Sequence, residues 1–200
     1  SDSTHMQPLT SVMNTKYIIT DVSERKKFYG CPYICGIDIF PLDYIPSNEE
    51  ELNTFRNIYT VVYSTAREFN QYTIEERERY LNLIEEMCNT NIDRNENIQN
   101  QLWLLLDKVA GIFNKDECEY LTYLPTNICY NPELKYKKEW FTGVKRFPFE
   151  YISVPVANGY DELLKITYGD YMQYDRQRGR AHNYPFYKKQ EDFLIKNNLM

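Results

Sequence analysis

The chain offers neither a glycine-rich phosphate loop nor a nucleophile elbow, two common ways of cradling a phosphate or presenting an activated serine. Histidine is nearly missing: only His5 and His182 occur among 200 residues, which excludes a His-rich metal centre. His5 stands in an irregular N-terminal stretch and carries no role. Five cysteines, an odd number at irregular spacing, argue against a disulfide framework and for a reducing compartment. Cys31 and Cys35 stand four apart with no second pair, short of a zinc-site pattern. No apolar run approaches the roughly 20 residues of a membrane span. The N-terminus shows neither region of a signal peptide, so a cytoplasmic location is expected. A basic stripe is lacking too: net charge is -6, with both signs mixed along the chain. That argues against a general nucleic-acid binder. Neither an internal repeat nor a linker divides the chain, and its length suits one domain with a sizeable core.

Tyrosine is abundant instead, with nineteen copies. Its apolar body and polar tip suit partly wet clefts that grip sugars or cationic head groups, although a Tyr-rich core accounts for most of them. Residues 13–20 (MNTKYIIT) read as a strand. Arg25, Lys26 and Lys27 follow as a basic cluster, either a solvated loop or a grip on anionic substrate. From Ser47 the pattern turns helical. Ser47 and Glu50 make a capping box, and Leu52, Phe55, Ile58, Tyr59, Val62, Ala66 and Phe69 recur at helical steps to about Asn70. Thr73 and Glu76 open a second helix bearing Tyr80, Leu81, Ile84 and Met87. A third, over about 95–113, carries Ile98, Leu102, Leu105, Leu106, Val109 and Ile112. Short polar joints predict that these helices pack as antiparallel neighbours around a core. Beyond Asn114 the chain shortens into strand pieces: 120–124 ended by Pro125, then 146–151 and 152–156 broken by Pro148 and Pro155. A brief helix is expected at 139–141, and another over 161–168 capped by Gly169. The tail from Tyr187 is read as a last helix.

The centre of the reading is Gly36-Ile37-Asp38-Ile39-Phe40-Pro41-Leu42-Asp43. Period 2 sends Ile37 and Ile39 to one face and Asp38 with Phe40 to the other. A carboxylate among residues that want burial is unfavourable unless something pairs with it. Asp38 is therefore expected to be buried, and Asp43 follows at the strand exit. Two acids around a strand end suit an oxygen-liking divalent cation such as Mg²⁺. The alternative is plain: Asp38 bonded to backbone amides and Asp43 capping a turn. An Asp38 facing bulk water would remove the case for a poised ligand.

The run GIDIFPLDYIP resembles a signature of the LicD family of phosphotransferases, bacterial phosphocholine transferases related to fukutin and fukutin-related protein. A second similarity lies far downstream, in VPVANGYDELLKITYGDYM (154–172) followed by AHNYPFYKKQ (181–190). The EWF turn and the phenylalanine-rich strand before VP extend it. The resemblance implies the nucleotidyltransferase-like fold, in which an Asp-x-Asp pair and a third acid on a neighbouring strand hold Mg²⁺ or Mn²⁺. It makes Asp38 that third acid, a catalytic metal ligand, and gives His182 a catalytic or phosphate-contacting role. Asp43, Tyr168, Asp170, Tyr171 and Arg180 become substrate-binding candidates. Asp170 could hold a cationic head group between tyrosine faces or be a turn acid bonded to neighbouring amides. Arg180, with Arg176 and Arg178, would grip pyrophosphate, although the polar run before the histidine departs from the family's.

The family's opening Gly-Ser/Thr motif and its DDDIDI-like acidic run have no counterpart in these 200 residues. The expectation is thus the C-terminal part of a LicD-like domain, lacking the first catalytic strands. It is an α+β chain with a partial mixed sheet around Asp38 (1–46), three long helices (47–113) and a Tyr-rich C-terminal lobe (114–200). The implied activity transfers phosphocholine or a similar phosphorylated alcohol. The donor is CDP-linked, and the acceptor is a cell-surface glycan such as lipopolysaccharide or teichoic acid. The chain would then work at the inner face of the membrane, associated peripherally through a lipid-linked acceptor. The competing class is a non-catalytic module of the same fold that binds a glycan or another protein.

Overall fold

The computed structural model describes residues 10–13 and 36–173, which are α+β and divide between two compact units. In the first, Asp43–Ile45 (β3) leads into Glu49–Glu68 (α1), Ile74–Cys88 (α2) and Ile98–Ala110 (α3). Strands Tyr120–Thr122 (β4) and Tyr136–Lys137 (β5) follow, and β3, β4 and β5 form one antiparallel sheet in that order. The expected mixed sheet is thus, among the described residues, three separate antiparallel sheets.

The three helices form because their apolar residues recur at helical spacing, and they meet in one cluster. Leu52, Phe55, Tyr59, Val62 and Ala66 of α1 face Leu81 and Ile84 of α2 and Leu102, Leu106 and Val109 of α3. Ile45 of β3 seals the same core. Each fully buried aliphatic side chain there contributes about 1.5–3 kcal/mol relative to exposure. Ile112 lies past the end of α3 and is exposed, so the third helix is shorter than its apolar pattern suggested. The first helix is capped one residue later than expected. The Asn48 side-chain oxygen accepts from the Glu50 and Glu51 amides at 3.0 Å each, leaving Ser47 outside. The Thr73–Glu76 capping box is present in full. The α2–α3 joint is clamped by Arg94, which donates to Glu85 at 2.7 Å and to the Ile92 carbonyl at 2.6 Å.

After β4, Pro125 does not simply stop the strand; it enters a short π-helical turn, Leu124–Ile128. Buried polar bonds fold this turn back. Asn127 donates to the Thr122 hydroxyl at 3.0 Å, and that hydroxyl donates to the Leu134 carbonyl at 2.6 Å.

Val144–Phe149 (β6) and Ile152–Ala157 (β7) form a continuous hairpin, with Pro148 and Pro155 inside the strands. The register explains why the prolines do no harm. Phe149 pairs with Ile152 across a two-residue loop, and ladder bonds then recur at every second pair. Pro148 opposite Ser153, and Pro155 opposite Arg146, fall on the alternate pairs, where the missing N–H would point outward. No bond inside the hairpin is lost, while each outer edge loses a donor. Tyr160–Tyr168 (α4) completes the unit, and Gly169 (φ 67°) caps it through the Lys165 carbonyl.

In the second unit, Thr10–Met13 (β1) and Gly36–Ile39 (β2) pair antiparallel, with Val12 opposite Ile37 and Thr10 opposite Ile39. The strand expected over 13–20 overlaps β1 only at Met13, and its other residues lie outside the described ones, as does the helix expected from Tyr187.

Candidate functional site

Strand β2 places Asp38 between Ile37 and Ile39 as expected, but its surroundings are not those expected. Asp38 is exposed, and Ile37 and Ile39 are 72% and 48% exposed. The flanking isoleucines drove the expectation of burial, yet a pair of short strands covers neither of its own faces. Burial therefore does not poise this carboxylate. Among the described residues no three His, Cys, Asp or Glu side chains gather closely enough to hold a metal ion. The described residues thus do not by themselves make up a magnesium or manganese site.

The second acid of the same stretch is the chemically unusual one. Asp43 is not a turn cap at a strand exit: it is the first residue of β3, opposite Thr122. It is half-buried, and removal from water, followed by the nearby Asp107 charge, pushes its carboxyl up to about 6. Asp107 comes from α3 and Tyr59 from α1, so the sheet and two helices converge here. Tyr59 is 1% exposed; its phenol is pushed well above the ordinary range, first by burial and then by Cys129 and Asp43. Tyr63 stacks on Tyr59 with centroids 6.2 Å apart and meets Trp103 edge-on at 6.1 Å. Burial raises the Tyr63 phenol too, with Arg67 opposing. Arg67 also donates to the Tyr130 hydroxyl at 3.0 Å. Tyr123 adds charge repulsion to Tyr59 and packs edge-on against Phe40 at 5.0 Å.

A carboxyl pushed up to about 6 and coupled to the Tyr59 phenol can exchange a proton or receive a cation, since a positive charge would relieve both its desolvation and its repulsion by Asp107. Sequence reading missed Asp107 and assigned Tyr59 to the core alone. The available signal was that Asp107 adjoins Leu106 and Val109, at the rim of the apolar face of α3.

The other sequence candidates are dispersed. Tyr168 ends α4 and is exposed, in the same unit as Asp43. Asp170 and Tyr171 belong with Asp38 to the second unit. Asp170 is exposed, and its carbonyl accepts from the Gln173 amide at 3.2 Å, as in a turn. Arg180, His182, Arg176, Arg178 and the cluster Arg25, Lys26 and Lys27 lie outside the described residues. A cleft of about 330 Å³ is lined by Glu119, Tyr120, Lys137, Lys138 and Glu139. None of the sequence candidates lines it, and Lys137 and Glu139 already pair at 3.7 Å.

Stability should report on Asp43. Its folded pKa of about 6 exceeds the reference 3.8, so the folded state holds a proton that the unfolded state releases. Stability from this group is complete below about pH 4 and is lost as pH rises to about 6. Asp43→Asn is expected to stabilise the protein by about 1–3 kcal/mol near neutral pH and to flatten that slope. Urea melts of both proteins at about pH 4.5 and 7.5 check this; parallel pH dependence would show that Asp43 is not the strained group.

No family model, curated protein or solved structure matches the chain.

Proposed function

We propose that the chain is the C-terminal part of a LicD-like phosphotransferase, of nucleotidyltransferase-like fold, that moves phosphocholine or a similar phosphorylated alcohol from a CDP-linked donor to a glycan. The observation that carries this reading is the ordered pair of signatures, GIDIFPLDYIP at 36–46 and VPVANGYDELLKITYGDYM with AHNYPFYKKQ at 154–190. The burial of Asp38 does not carry it. Asp43 inside the first signature supports it, being a half-buried carboxyl pushed up to about 6 by burial and then by the Asp107 charge. In this reading Asp38 belongs to the catalytic set, and the family's first two acids come from outside these residues. In the same reading Asp43, Tyr168, Asp170, Tyr171 and Arg180 contact the substrate, and His182 takes a catalytic or phosphate-contacting role. Catalysis is positioning and neutralisation of phosphoryl charge.

CMP release from CDP-choline in magnesium buffer tests it. A protein extended upstream to include a DDDIDI-like run is expected to release CMP, and the 200-residue chain alone to release none. Turnover by the 200-residue chain would overturn the division of the catalytic set. An extended protein that binds glycan but releases no CMP from any CDP-alcohol would establish the non-catalytic module instead.

A further inference from the structure

The hairpin of β6 and β7 ends in a tip that the described residues leave uncovered. Phe149 is 61% exposed, Tyr151 96% and Ile152 52%. Alternation places Phe147, Phe149, Ile152, Val154 and Val156 on one face. Tyr160 of α4 covers only the base of that face. It meets Phe147 edge-on at 5.0 Å and carries the Lys145 ammonium 5.6 Å from its ring. We propose that this tip docks the protein on an anionic lipid surface.

Three observations favour lipid over protein. Pro148 and Pro155 each remove a donor from an outer edge of the hairpin, which disfavours strand addition at both edges. Phe147, Phe149, Tyr151 and Ile152 together expose on the order of 500 Å² at the usual areas of such side chains, less than the ~800 Å² per partner of a stable interface. Charge points the same way. Between residues 135 and 146 stand Lys135, Lys137, Lys138, Lys145 and Arg146 against Glu139 alone, in a chain whose net charge is -6. Lys135 pairs with Glu49, Lys137 with Glu139, and Lys138 donates to the Lys115 carbonyl; Lys145 and Arg146 stand on the hairpin itself. Arg146 is braced by its bond to the Ser153 carbonyl at 2.8 Å. Lys145 and Phe149 are four strand residues apart, about 13 Å, so a tip sunk about 5–10 Å into the interface brings the cations to head-group level. Glu150, in the loop at φ 52°, opposes an anionic surface. It makes the contact weak and reversible.

Co-sedimentation of the full 200-residue chain with vesicles tests this. Binding is expected to phosphatidylcholine vesicles containing phosphatidylglycerol and to be at least about tenfold weaker to phosphatidylcholine alone. Combining Phe149→Ser, Tyr151→Ser and Ile152→Ser is expected to weaken it by about a hundredfold, with unchanged circular dichroism, and Glu150→Gln to tighten it. In a Tyr151→Trp protein the added indole, the only one at the tip, shifts its emission to the blue on anionic vesicles. Equal binding to both vesicle types, no blue shift, or a triple variant that still binds would overturn the proposal. So would concentration-dependent dimers that the triple variant abolishes, since the tip would then serve a second copy.

Discussion

Gly159→Ala is expected to destabilise the hairpin and α4 by about 2–3 kcal/mol while leaving the three-helix core folded. The reason is space, not backbone conformation. A Cβ at this buried position would stand 2.4 Å from the Trp140 Cβ and 2.8 Å from its Cα. The Gly159 amide also donates to the Trp140 carbonyl at 2.9 Å, so the two backbones cannot part without losing that bond. Trp140 cannot rotate its own Cα away, and relief must come from moving the chain that carries α4. None of residues 144–169 contributes to the central apolar cluster, so the damage stays local. Amide exchange in β6 and β7 is expected to speed up by about fiftyfold at a cost in that range, with the amides of α1 and α3 unchanged. Gly111→Ala is the control: its new Cβ meets nothing closer than 3.5 Å. Slow exchange in the Gly159→Ala hairpin would mean that contact with Trp140 does not hold it.

The three helices were legible because a 3.6-residue period over thirteen to twenty residues leaves little competition, and Thr73 with Glu76 announced its own start. What the sequence did not reveal was what lies against a face. Period 2 correctly put Ile37 and Ile39 on one side of β2, but alternation is silent on whether anything covers that side, and here Asp38 and both isoleucines are exposed. Pro148 and Pro155 read as breaks because a lone proline gives no register. Only the pairing across the hairpin shows that both occupy outward positions. Asp43 read as a site acid at a strand exit, or else a turn cap, and not as the start of a strand, since the three-residue β3 is too short for a pattern. Its raised pKa comes first from burial and then from Asp107, sixty-four positions away in sequence, and no local reading shows either.

The resemblance to phosphotransferases gives Asp38 a role that the fold of these residues does not supply by itself, so its side chain is the place to press. In the proposed reading Asp38 would join acids from outside these residues in holding the metal whose charge offsets the phosphoryl oxygens, so removing it would weaken an interaction made chiefly in the transition state and lower kcat more than it raises KM. Asp38→Asn changes little in volume, and the urea midpoint measured beside the rate separates lost turnover from unfolding. The decisive measurement is the rate of CMP release from CDP-choline by the upstream-extended protein carrying Asp38→Asn. A fall of about a thousandfold or more, roughly 4 kcal/mol of transition-state stabilisation, with an unchanged urea midpoint is the predicted result. A variant that keeps its rate within about tenfold of the parent would contradict the account.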